Sequence, residues 1–108
     1  MSVIWGAQAL ADRRSYLDQA FDHALEKEDP QINSAAEKRD DHIETEGNKL
    51  DDAATYVQGP LPDSHVYTVK GGRFVILYTR DGKHVHIERV LRSRSNWRGD
   101  TSLHSAQP

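Results

Sequence analysis

The main change in the period of apolar and polar positions along the chain falls near residue 59. Upstream of it Leu10, Leu17, Phe21, Ala24 and Leu25 recur at helical spacing with Tyr16 flanking, which predicts an amphipathic helix over residues 7–27. Arg13 and Arg14 fall near its middle, with Asp18 four residues after Arg14, and read as a solvated face. Asp29-Pro30 is a helix start, since Asp caps well and Pro costs nothing at the first helical position. The second helix carries Ile32, Ala35, Ala36, Ile43 and Leu50 inward, with an interruption at Gly47 and a resumption through Ala53, Ala54 and Val57. The short link between the two helices predicts an antiparallel helical hairpin. Before both, Val3 and Trp5 alternate as a small strand would.

Downstream of the Gly/Pro-rich stretch 59–64, the period becomes two. Residues 65–69 alternate as a strand, Gly71-Gly72 turns the chain, and the run from Arg73 to Thr79 is followed by Arg80-Asp81-Gly82-Lys83 and by residues 84–90. Asp-Gly between two β-rich runs predicts a hairpin with a two-residue turn. That turn pairs Arg80 with Lys83, Thr79 with His84, Tyr78 with Val85, Leu77 with His86, Ile76 with Ile87 and Val75 with Glu88. One face then holds Phe74, Ile76, Tyr78, Val85 and Ile87 and needs covering. The other holds Val75, Leu77, Thr79, His84, His86 and Glu88, a mixed face that is either solvated or a working surface. Tyr78 and Trp97 read as packing residues. The predicted order is β-α-α-β-β-β, an α+β domain with a helical hairpin packed on one face of a small, mainly antiparallel sheet. The domain spans residues 1–98, and the aperiodic 99–108 reads as a mobile tail.

Length adds only that 108 residues suffice for one core. The hydrophobic fraction is 36%, no apolar run is long enough to span a bilayer, no signal peptide is expected, and cysteine is absent. A reducing cytoplasm is the expected setting, and disulfides and thiolate metal sites are excluded. Charge changes the picture more. Residues 1–69 hold six Lys/Arg against fourteen Asp/Glu, whereas 70–98 hold eight against Asp81 and Glu88. The halves carry −8 and +6, so the C-terminal half is suited to a polyanion, either nucleic acid or an acidic protein segment.

The element order, the opening Val3-Ile4-Trp5, the stretch Arg73-Phe74-Val75-Ile76-Leu77-Tyr78 before a turn, and the ending Val90-Leu91-Arg92-Ser93-Arg94 with Trp97 resemble the RelE/ParE superfamily of toxins from type II toxin–antitoxin pairs. The resemblance implies a small toxin neutralised by a cognate antitoxin, which would lie on the apolar and basic surfaces of sheet and helices as an acidic amphipathic helix. RelE-like members enter the ribosome and cleave mRNA. ParE-like members inhibit DNA gyrase without being nucleases. On the RelE-like pattern Arg94 matches the arginine that stabilises the scissile phosphate, and Lys70 falls near the basic positions before the turn. Val75 stands where some nucleases have arginine, and Ser95-Asn96 replaces the arginine and acid that often follow.

A ribosome-dependent mRNA endonuclease is the leading expectation, with gyrase inhibition the alternative. RNA cleavage through a 2′-hydroxyl needs a base, an acid and positive charge on the phosphate, but no metal or cofactor. His86 or His84 would be the acid or base, with Glu88 a base or the group orienting the histidine. Arg94 with Lys70 or Arg92 would bind the phosphate, and Arg73 would be an additional contact. His86 and Glu88, two apart on one strand face, would have Cα atoms about 6.5–7 Å apart. His84-x-His86 also has the spacing of two metal ligands, but no third is evident.

Overall fold

The computed structural model describes residues 2–50, 57–58, 64–80 and 84–94. The elements are β1 (Ser2–Trp5), α1 (Ala7–Lys27), α2 (Pro30–Asn48), β2 (Val57–Gln58), β3 (Ser64–Thr68), β4 (Phe74–Arg80) and β5 (His84–Arg92). They form one mixed five-stranded sheet in the order β1-β5-β4-β3-β2, with β1 parallel to β5 and the other pairs antiparallel. The predicted α+β order holds, with one addition. Val57 does not resume the second helix but pairs with Val66 in β2. Ala53, Ala54, Asp81-Gly82-Lys83, Trp97 and the predicted tail lie outside the described residues.

The link between the two helices is set by local signals. α1 ends where Glu28 takes the left-handed conformation at φ 52°, its N–H returning to Leu25 O at 3.3 Å and that of Asp29 to Ala24 O at 3.0 Å. α2 opens with Asp29, whose side chain accepts the Gln31 N–H at 3.0 Å, and with Pro30 in the first turn. Gly47 does not interrupt α2. It sits beneath the Trp5 indole, where a Cβ would come within 2.6 Å of the ring.

The face of Phe74, Ile76, Tyr78, Val85 and Ile87 is covered as expected. Ile76, Tyr78, Val85, Ile87 and Val90 are all at most 1% exposed and pack with Ala9, Ile43 and Leu50. Tyr78 is a packing residue. Two predicted inward leucines point out, Leu10 at 48% and Leu25 at 78% exposure, because α1 turns Ala9, Asp12, Tyr16 and Ala24 toward the rest of the fold instead.

The hairpin register differs from the two-residue turn. Arg80 pairs with Val85, Thr79 with His86 and Tyr78 with Ile87. A slip of two keeps every side chain on its face, so hydrophobic alternation does not discriminate between the two registers. A bulge at Leu77/Tyr78 then leaves Glu88 as the extra residue, and Leu77 pairs with Arg89, Ile76 with Val90. The mixed face also differs from expectation. Val75, Leu77 and Leu91 are 3–4% exposed and cluster with Val66 at 7%, so its apolar half is a second buried patch rather than a solvated one.

Candidate functional site

A cleft of about 800 Å³ lies between the helical hairpin, the β3–β4 turn and the end of β5. Its apolar lining comes from Leu17, Ala20, Ile32, Ala36, Ile43 and Phe74, and five arginines line it as well: Arg13, Arg39, Arg73, Arg92 and Arg94. The inward stripes of the two helices supply most of the apolar part, and Phe74 of β4 supplies the rest.

The arginines differ in what already occupies them. Arg13 donates from Nε and Nη2 to the two Asp40 oxygens at 2.8 and 2.9 Å and from Nη2 to Glu44 at 2.8 Å, with its guanidinium 4.6 Å from the Trp5 ring centroid. The paired Asp40 carboxylate raises its pKa further above the usual arginine range. Its side chain is 11% exposed, so it is a buried strut between the helices and not part of a solvated face. Arg92 donates to Gln19 Oε1 at 2.9 Å and lies 5.1 Å from the Tyr16 ring centroid. Arg39, Arg73 and Arg94 form no ion pair among the described residues. They come from α2, the β3–β4 turn and the segment after β5, so three elements converge three charges on one apolar cleft.

The turn that carries Arg73 is held on both sides. Gly71 and Gly72 have φ of 107° and 76°, where a side chain would be strained. Before them, Glu46 Oε1 accepts the Lys70 N–H at 3.5 Å and the Tyr67 hydroxyl at 2.8 Å, and His42 Nε2 donates to Lys70 O at 3.2 Å. After them, the Ser93 N–H reaches Arg73 O at 2.9 Å and its hydroxyl donates to Gly72 O. The Tyr67 hydroxyl holds the Glu46 carboxyl below its usual range. Glu46 therefore stabilises the fold above the ordinary glutamate pKa, and that contribution is lost as pH falls through its depressed folded value. Tyr67→Phe is expected to return the Glu46 titration toward the ordinary range and to flatten the acid limb of a stability–pH curve, read by carboxyl NMR and urea unfolding.

The sequence-predicted site residues fall into two groups. Arg73, Arg92 and Arg94 line the cleft, and Lys70 anchors the turn beside it through its backbone. His84, His86 and Glu88 lie on the opposite sheet face, toward the β1 end. There Thr79, paired opposite His86, donates to Glu88 at 3.3 Å, and the His84 and His86 ring centroids are 6.2 Å apart. Arg92, the cleft arginine nearest Glu88 along β5, is four residues on, about 13 Å of extended chain, and meets Gln19 of α1, whereas Glu88 meets Thr79 on the other face. One phosphate does not reach from the first group to the second. The cleft arginines and the histidine–glutamate group are two places, not one catalytic constellation. Among the described residues no cluster of three or more His, Cys, Asp or Glu is arranged to hold a metal ion.

Arg13, Arg39 and His23 also line the cleft and were missed from sequence. Arg39 and His23 sit on different helices, and only the hairpin's packing brings them to the arginines of the sheet. Chemically the cleft offers apolar area, an aromatic pair with Tyr16 and Phe74 centroids 5.2 Å apart, and fixed positive charge. That combination suits an anionic occupant with an apolar side.

No protein-family model matches this chain. None of the curated proteins is significantly similar to it. Among solved structures, it is similar to a chain of the chromosomal ParDE TA system from P. aeruginosa, with 24% sequence identity, a TM-score of 0.62, and coverage of 85% of this chain and 95% of that one. The two chains share a fold, and it is the RelE/ParE-like α+β fold that the resemblance implied.

Proposed function

We propose that this chain is the toxin of a type II toxin–antitoxin pair and that it acts by binding its target, DNA gyrase, rather than by cutting mRNA. The fold it shares with a chain of a ParDE system supports the first half. The observation that carries the second is the separation of His84, His86 and Glu88 from the arginine end of β5. A phosphodiester-cleaving site needs its acid and base beside the positive charge that stabilises the transition state. Here the candidate acid–base groups and the arginines occupy opposite faces.

A second reading, the RelE-like ribosome-dependent mRNA endonuclease, is favoured by one specific feature. His23 lies in the cleft with Arg39, Arg73 and Arg94, so one titratable group does stand among the arginines. On that reading His23, not His86, would be the proton-transfer group.

Both readings share a cognate antitoxin, and the cleft is where its acidic amphipathic segment would dock. The apolar lining would take the hydrophobic face and Arg39, Arg73 and Arg94 the carboxylates. Titrating the product of the neighbouring gene against the purified chain tests this. Arg73→Ala and Arg94→Ala are each expected to weaken binding about tenfold, with affinity falling as salt rises. Full affinity in both variants would place the partner elsewhere.

A further inference from the structure

β1 covers only part of the β5 edge. Its pairing ends at Trp5 opposite Ile87, and the Gly6 N–H extends it by one bond to Ile87 O at 2.9 Å. Beyond that point β5 runs on to Arg92 with β4 on one side and, among the described residues, no strand on the other. In a regular strand Arg89 would be the next residue to turn its backbone groups toward the open side, but the extra residue at Glu88 shifts the phase, and Val90 does so instead.

Both Val90 groups are met by side chains of α1. Asp12 Oδ2 accepts the Val90 N–H at 2.9 Å, and the Tyr16 hydroxyl donates to Val90 O at 2.7 Å. The same Asp12 carboxylate takes Arg89 as a fork, at 2.7 Å from Nε and 2.9 Å from Nη2. One turn beyond Tyr16, Gln19 accepts from Arg92. Spacings of four and three put these three residues on one face of the helix, where they read out successive positions of β5 as a neighbouring strand would.

We infer that the Asp12–Tyr16–Gln19 ladder stands in for the missing strand and positions the arginine end of β5, making Asp12 a positioning residue for the cleft although it does not line it. The backbone hold at Val90 lies two residues before Arg92 and four before Arg94, both of which line the cleft. Without it, the last turn of sheet loses its reference to α1, and those arginines lose their place relative to Arg39 on α2. The positioning holds whatever occupies the cleft.

Amide hydrogen exchange and amide resonances of the full chain test it without a ligand. Asp12→Ala, which removes the acceptor that an asparagine would keep, is expected to speed exchange at Val90 by roughly tenfold to hundredfold and to shift the resonances of Arg92 and Arg94, while the β3–β4 ladder stays protected. Tyr16→Phe keeps the ring and removes only the donor to Val90 O, and is expected to shift the same resonances less. Ala24→Gly loosens the same helix about three turns further on and is expected to lower stability without moving them. Unchanged Val90 exchange in Asp12→Ala overturns the inference. So does an Ala24→Gly variant that moves Arg92 and Arg94 as far as Asp12→Ala does, since the effect would then be general loosening.

Discussion

Gly47→Ala is expected to destabilise the protein by about 1–3 kcal/mol in urea unfolding, although alanine in place of glycine inside a helix ordinarily gains about 1 kcal/mol. The sign reverses because of Trp5. A Cβ at residue 47 would lie 2.6 and 2.7 Å from two atoms of the indole and 3.1 Å from Ile87 Cδ1. The ring has little freedom to retreat, since its N–H donates to Asn48 Oδ1 at 2.9 Å and the Arg13 guanidinium lies 4.6 Å from its centroid. Pairing the substitution with Trp5→Leu is expected to recover part of the loss, because the smaller side chain makes room. Stability at or above the parent in Gly47→Ala alone would mean that the ring moves freely and that the β1–α2 contact is loose.

Arg13→Met is expected to cost about 2–3 kcal/mol, against a change within about 0.5 kcal/mol for Arg14→Met one residue away. Arg13 gives three charge-assisted hydrogen bonds to Asp40 and Glu44 and covers the Trp5 ring. Methionine keeps the bulk of the aliphatic stem but leaves the Asp40 carboxylate, 18% exposed, without that partner. Arg14 is exposed, so its loss touches little. Thermal or urea unfolding of the two variants side by side is the check, and equal midpoints would demote the Arg13 network to surface decoration.

These two sites also mark where sequence reading stops. The amphipathic period gave α1 its range and Asp29-Pro30 gave α2 its start, because both are local signals that packing does not override. The helical spacing of Leu10 and Leu25 was misleading. Ala9 and Ala24 take the buried places, and a polar ladder beginning at Asp12 occupies part of the sheet-facing side. Polar residues on a packed face look the same in sequence as polar residues in water. Gly47 looked like a break because its reason, an indole from a strand more than forty residues earlier, is a tertiary one.

The sheet was legible to the level of faces but not of register. Alternation placed Tyr78 with Ile87 on the buried side under either pairing, and the Asp-Gly signal favoured the tighter one. The bulge at Glu88 has no local sequence mark, yet it sets which residue α1 grips. For the candidate site, charge asymmetry pointed to the half of the chain that supplies three of the five cleft arginines. Arg73, Arg92 and Arg94 do share a cleft, whereas Lys70 stands beside it and the group of His84, His86 and Glu88 lies on the far face. Arg39 and His23 come from the acidic half, where the charge sum concealed them.

The most direct test of the proposed function is to induce the chain without its partner and follow growth together with labelled amino-acid incorporation over the first minutes. Growth arrest with protein synthesis continuing, alongside a DNA-damage response, is the predicted result for a toxin that acts by binding gyrase. A prompt halt in incorporation would contradict that target and move the chemistry to mRNA and His23, and undisturbed growth would contradict the toxin reading itself.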